Sequence, residues 1–228
     1  YFEGVVSKWL DQTVNANTLS QTTQSARLLY VTNAQNSKPV LRGDGLTKCL
    51  YNANDLIGTG NVTVVVVIKP RGWGGSGVGR IIDNGLFIFR GEATNSRLLI
   101  SSDGSTPAAS ANSSISLGTA YVIIITRTSA GVTSFYINGA LSGAAEQSSG
   151  APAAGTPTYI GNNAAGTRGF DGDIDEVGII KRILTTSDRD HLAVILGNKW
   201  NITVGVSLIA DETGATLTDE AGVSLRIE

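Results

Sequence analysis

Four acids fall within six residues of FDGDIDEV, 170–177: Asp171, Asp173, Asp175 and Glu176. Three arrangements use such a run: a calcium loop, a pair of catalytic carboxylates, or the polar edge of a strand. The aspartates imitate positions 1, 3 and 5 of an EF-hand loop. However, Glu176 stands where that loop turns on glycine, and Arg182 where it needs a bidentate glutamate. An EF-hand is therefore excluded. Calcium held another way, through Asp171, Asp173 and Asp83, is the metal expectation that remains. Read as a strand, Asp171, Asp173 and Asp175 share one face, with Ile174 and Glu176 on the other. Val177 and Ile179, the next core candidates, share the parity of the aspartates. The segment is then either buried on both faces or bulged near 175–176. Buried acids need partners, and Arg182 or backbone N–H groups are the candidates.

Other chemistry-bearing residues are sparse. RGWGGSGVG, 71–79, lacks the Lys-Ser/Thr ending of a phosphate loop and has no helical pattern after it. Trp73 at its centre is either a platform for a sugar ring or a lid over the core. Arg71, Asn162 and Asn163 are its candidate companions at a ligand. Trp9 and Trp200 read as core. The single histidine, His191, lies within an expected helix, and no Ser-His-Asp set is defined. Cys49 is the only cysteine, which rules out an intrachain disulfide; beside Lys48 it is either a reactive thiol or, as the favoured reading, a half-buried strand residue that packs as a small hydrophobe. Arg42-Gly43-Asp44 forms an adhesion tripeptide, but Gly43-Asp44-Gly45 is also good turn chemistry.

These residues must be positioned by strands. Val62–Ile68, Arg80–Ile82, Leu86–Arg90, Arg97–Ser101, Tyr121–Thr128, Ser134–Ile137, Thr158–Gly161 and Asp173–Lys181 read as strands, with turns every 8–12 residues or so, as in sandwiches and barrels. Asn138-Gly139 is a hairpin signal. A helix is expected near 186–197, started by Thr185-Thr186-Ser187-Asp188 and stopped by Gly197. A helical turn is expected at 16–20. Residues 205–228 repeat Gly-x-Ser/Thr-Leu three times, about one strand and turn each. Charged residues make up only 16% of the chain, against a usual quarter or so, and the net charge is -2. A near-neutral chain argues against nucleic-acid binding, which normally needs a clustered basic footprint. No apolar run approaches a membrane span. A tyrosine at position 1 is expected where a leader or fusion segment has been removed.

Several segments resemble one family. ITRTSAGVTSFYINGALSG, 125–143, resembles the strand–turn–strand of laminin G-like domains. TYIGNN, 158–163, and FDGDIDEVGIIKRILTTSDRDHL, 170–192, resemble that family's last-strand signature, with Phe170, Gly172, Asp175, Glu176 and Arg182 at matching positions. KWLDQTVNANTL, 8–19, and LRGDGLTKCLYNANDL, 41–56, resemble its opening segments. The resemblance implies an all-β, two-sheet antiparallel jelly-roll sandwich of the concanavalin A-like kind over residues 1–203, with a small β tail at 204–228. Glucanases of this fold carry a Glu-x-Asp-x-x-Glu motif, which Asp173–Glu176 does not reproduce.

The expected function is therefore non-catalytic: a binding or display module with no cofactor, calcium being the alternative to a purely structural role for the acids. The opening segment and the polar tail resemble bacteriophage structural proteins. This implies a virion component (capsid decoration, head fibre or tail adhesin) that contacts cell-surface glycans. Its tail, 204–228, would dock on other virion subunits or on another copy, giving an oligomer or a larger assembly. A secreted or surface-bound bacterial carbohydrate-binding module is the alternative, and a glycan-cleaving enzyme the remote one.

Overall fold

β-Branched runs punctuated by Gly, Asn and Ser turns make strands the main regular element of the described residues. A computed structural model describes residues 3–206. In chain order the strands are β1 (Glu3–Val5), β2 (Lys8–Trp9), β3 (Leu19–Ser20), β4 (Leu29–Gln35), β5 (Lys38–Arg42), β6 (Leu50–Asn52), β7 (Val62–Pro70), β8 (Arg80–Asp83) and β9 (Ile88–Glu92). They continue as β10 (Arg97–Ser101), β11 (Pro107–Ala109), β12 (Tyr121–Arg127), β13 (Val132–Ile137), β14 (Ala140–Leu141), β15 (Gln147–Ser148), β16 (Thr158–Ile160) and β17 (Gly172–Ile180). One α-helix, α1 (Thr186–Trp200), follows.

The strands form two antiparallel sheets. The first runs β1-β4-β5-β17-β7-β12-β13-β14, with β15 also on β13. The second runs β11-β10-β9-β8-β16-β6-β3-β2. Their facing sides bury one apolar layer, including Val62, Val64, Val66 and Ile68 of β7, Phe89, Ile100, Ile123, Phe135 and Ile160. Each such side chain contributes about 1.5–3 kcal/mol. β7 is buried on both sides: Val65 and Val67 turn outward, where Ala193, Leu196 and Trp200 of α1 cover them. This explains a continuous valine run where a solvent-facing strand would alternate.

The Asn138-Gly139 hairpin is as expected. Both residues have positive φ, 50° and 83°, and Ile137 pairs with Ala140. Two local expectations fail. The helix does not stop at Gly197. It runs on to Trp200 and ends at Asn201, whose φ is 54°. Gly197 is internal because the returning chain crosses it: a Cβ there would lie 2.8 Å from the Ile202 carbonyl oxygen. Residues 16–20 are not helical either, since Leu19–Ser20 pairs with Lys8–Trp9 as strand. At its start, α1 is capped as expected, with the Thr185 hydroxyl accepting from the Asp188 N–H. After the helix, Val204 and Val206 pack on the outer apolar cluster and Gly205 N–H donates to the Asn138 carbonyl. The rest of the repeated tail lies outside the described residues. No helix among them is long and apolar enough to cross a membrane.

Candidate functional site

The acid-rich segment becomes β17, an interior strand between β5 and β7. Phe170 is buried in the core just before it. A Cβ on Gly172 would meet the Lys69 carbonyl oxygen at 2.6 Å, so only glycine fits there. The register against β7 slips between Ile174 and Glu176, which places a bulge at Asp175. Of the two sequence alternatives, the bulge is realised. It returns Val177 and Ile179 to the core side, beside Ile174. It also ends one ladder: Asp173 and Ile174 pair with β5, while from Glu176 onward the described pairing is with β7 alone. The edge of Glu176–Ile179 is thereby left open.

Three of the four acids meet a cation. Asp171 pairs with Arg71 at 3.1 Å, partly exposed. Asp173 is deeply buried and receives two bonds from Arg42, Nε at 2.5 Å and Nη2 at 3.0 Å. Glu176 accepts from the Trp200 indole N–H at 3.2 Å and from Lys199 Nζ, both delivered by the end of α1. The expected partner Arg182 instead bonds Asp188 at 3.0 Å. Asp175 differs from the others. It is 8% exposed, neither carboxylate oxygen has a hydrogen-bond partner, and its pKa is pushed up to about 7. Burial is the main cause, reinforced by Asp173 and Glu176 and opposed by Lys69 and Arg42.

Beside the open edge of β17 lies a cleft of about 540 Å³. Its floor is apolar: Leu19, Ile160, Val177 and Ile179. One wall is Trp9, half-buried against the core, with the loop Leu10–Asn17. The other is Asn54–Leu56, with Lys181 at the rim. Both loops are fixed by their own aspartates. Asp11 accepts from the Thr13 and Asn17 N–H groups at 2.8 Å each, and these bonds hold its pKa low. Asp55 accepts from the Ile57 and Gly58 N–H groups at 2.9 Å each. Lys181 donates to the Leu56 carbonyl, and burial draws its pKa down against the pull of Asp55. The side chains of Asn15 and Asn54 are exposed on the cleft wall.

The residues proposed from sequence lie mostly elsewhere. Trp73 packs its ring edge on Gly91 and lines a small gap over the core with Phe170, so its position is that of a lid. The buried Asn162 side chain accepts from the Asn163 and Arg168 N–H groups and donates to Leu46, while Asn163 closes the 163–167 turn. Arg71 and Asp171 join the same end of the sandwich. Asp83 is on the second sheet, 3.1 Å from Arg80, with Gly85 N–H on its other oxygen. Asp171, Asp173 and Asp83 therefore do not converge on one point. Among the described residues no group of three or more His, Cys, Asp or Glu is placed to hold a metal ion. In the adhesion-like tripeptide, Arg42 is engaged by Asp173 and Asp44 caps the Leu46 and Thr47 N–H groups. The cleft was missed because its walls come from 9–17, 54–56 and 177–181. The available signal was the Asn- and Asp-rich stretch directly after Trp9.

Two packed antiparallel sheets with loops gathered at their rims define a lectin-like β-sandwich. The chain belongs to the concanavalin A-like lectin/glucanases superfamily, whose family model matches residues 44–188. Among solved structures it is similar to Trypanosoma rangeli sialidase in complex with sialic acid (12% identity, TM-score 0.56, 86% of this chain and 33% of that one). It is also similar to a mutant of that sialidase displaying trans-sialidase activity (15%, TM-score 0.55, 77% and 30%). The chain thus spans about a third of the sialidase length. Domain 4 of AbnA, a GH43 extracellular arabinanase from Geobacillus stearothermophilus, in complex with arabinotriose, is similar over most of both chains (18%, TM-score 0.56, 73% and 81%). A search of curated proteins found no match.

Proposed function

We propose that this domain is a non-catalytic carbohydrate-binding module whose ligand occupies the cleft between Trp9 and β17. The observation that carries the reading is the cleft itself. Its volume lies in the range of small-ligand sites, its floor is apolar, and its rim offers amides, carboxylates and one ammonium. Trp9 supplies a flat apolar wall for a sugar ring, and Asn15 and Asn54 supply donors and acceptors for hydroxyls. The arabinanase domain, whose bound ligand is arabinotriose, supports the choice of a saccharide.

The carboxylates favour binding over hydrolysis. A general acid needs a raised pKa, yet Asp11 on the cleft wall is held low by its bonds from the Thr13 and Asn17 N–H groups. The one raised carboxyl of the acid run, Asp175, is buried. For the setting, we favour display on a larger assembly such as a bacteriophage virion, with the repeated sequence after Gly205 as the attachment arm. A chain cut after Val206 keeps every described residue packed on α1, and it should fail to incorporate into particles. Normal incorporation would remove the arm from the reading.

The binding reading is tested with a glycan array followed by titration of any neutral oligosaccharide found. Trp9→Ala and Asn54→Ala should each weaken binding at least tenfold. Trp9 touches the core, so Asn54→Ala, on an exposed side chain, separates lost binding from lost folding. Unchanged affinity in a folded Asn54→Ala protein, or turnover of the glycan, would overturn the reading.

A further inference from the structure

The outer face of the second sheet carries a cluster that the cleft does not use. Register places Arg80 of β8 opposite Arg90 of β9, and Asp83 of β8 opposite Tyr159 of β16, which in turn faces Tyr51 of β6. The neighbours Ile82, Phe89, Ile160 and Leu50 point into the core, so these side chains point away from it. Arg168, held beside the start of β8 by its carbonyl's bond from the Arg80 N–H, and Arg97 of β10 complete the group. The guanidinium of Arg90 feels both Arg168 and Arg97, and that of Arg80 feels both Arg90 and Arg168. Among the described residues, two acids stand beside these cations. Glu92 is bound by Arg97 at 2.5 Å, and Asp83 lies 3.1 Å from Arg80 Nε at an angle that makes no hydrogen bond. Arg80 Nε and Nη1 are both shielded from solvent and have no hydrogen-bond partner.

Unbonded buried donors are costly, and four guanidiniums gathered against two acids repel one another. A bound anion would relieve both. Arg forks match carboxylate and sulfate groups in two-point contacts. One strand away, the Tyr51 and Tyr159 rings lie with centroids 5.5 Å apart and planes tilted 30°, a ledge of the size that takes the apolar side of a sugar ring. From these arginines and tyrosines on one face, we propose that the outer face of the second sheet is an anion-selective saccharide site. It takes an acidic polysaccharide, with carboxylate or sulfate on the arginines and a sugar ring on the tyrosines. The site shares no residue with the cleft and does not depend on the cleft's occupant.

The test uses the full chain against polygalacturonate, heparin, a neutral arabinan and single-stranded DNA, each immobilised at low salt. Binding to polygalacturonate or heparin is expected, and it should weaken as salt is raised because exposed charges are screened beyond about 10 Å at 0.1 M. The two polymers separate carboxylate from sulfate as the favoured group. Arg90→Gln combined with Arg168→Gln leaves the Arg80–Asp83 pair intact and should cut acidic-polymer affinity at least tenfold. Tyr51→Ala should cut it several-fold, and Arg71→Gln should leave it unchanged. Any cleft binding of a neutral glycan should survive the double arginine variant, so loss of one site does not imitate loss of the other. The proposal is overturned if neither acidic polymer binds. It is also overturned if the folded double variant binds like the parent, if Asn54→Ala removes the acidic binding, or if DNA is held more tightly than both polysaccharides through the same arginines.

Discussion

Two regions of this sandwich handle charge in opposite ways. In β17, four acids crowd six residues of sequence, but the fold disperses them: Asp171 goes to Arg71, Asp173 to Arg42, Glu176 to Lys199 and Trp200, and Asp175 into the interior. On the second sheet, Arg80, Arg90, Arg97 and Arg168 are scattered through 89 positions of sequence, and strand pairing gathers them on one face. Density in sequence became structure, and density in space is the better sign of a site. The difference follows from partners. Three of the acids are answered by cations from neighbouring elements and Asp175 is buried without a hydrogen bond, whereas Arg80 keeps two shielded donors unbonded in the midst of other arginines, although Asp83 stands beside it.

If that contrast is right, the acid region governs stability and the arginine face does not. The largest effect is expected from Arg42→Ala. It strips the partner from Asp173, whose side chain is 3% exposed, and should cost about 3–5 kcal/mol in urea unfolding. A loss under 1 kcal/mol would mean that Asp173 is solvated. Asp175→Asn should act in the opposite direction. The folded carboxyl titrates near 7, above its unfolded value of about 4, so the native state holds a proton that the unfolded state lacks between those values. Stability of the parent should therefore fall as pH rises from 4 to 7, with the full cost present above 7. The Asn variant should lack this slope and gain about 2 kcal/mol at pH 8, with little change at pH 4. A parallel pair of stability curves would contradict the buried, unpaired state of Asp175.

A smaller loss is expected for Trp200→Phe. It removes the indole N–H from Glu176 and trims a side chain packed on Val65 and Val67, costing about 2 kcal/mol by thermal or urea melting. The smallest is Arg90→Gln, which should stay within about 0.5 kcal/mol of the parent because its guanidinium anchors no buried acid. A large loss there would make the arginines structural and erase the contrast.

The fold was readable because its signals are local. The VTVVVVIKP run, the Asn-Gly turn and the Thr185 cap each act through neighbours in sequence, and the Phe170–Leu184 motif identified the family. The bulge was readable only as one of two alternatives, since parity shows that the register must change but not whether the backbone changes it. The cleft and the arginine face were not readable. Trp9, Asn54 and Ile179 meet only when the two sheets pack together, and Arg80, Arg90 and Arg97 each stand next to a core residue that gave the strand its pattern. Gly197 misled because a glycine needed for close approach by Ile202 looks the same in sequence as one that ends a helix.

The central claim is that the bulge at Asp175 frees the edge of β17 to line a saccharide site. It is tested most directly by amide and indole NMR shifts on adding a neutral oligosaccharide that binds. The account predicts shifts at the Trp9 indole and at the amides of 10–17, 54–56 and 177–179. Shifts confined to the Trp73 loop, with those groups unmoved, would contradict it.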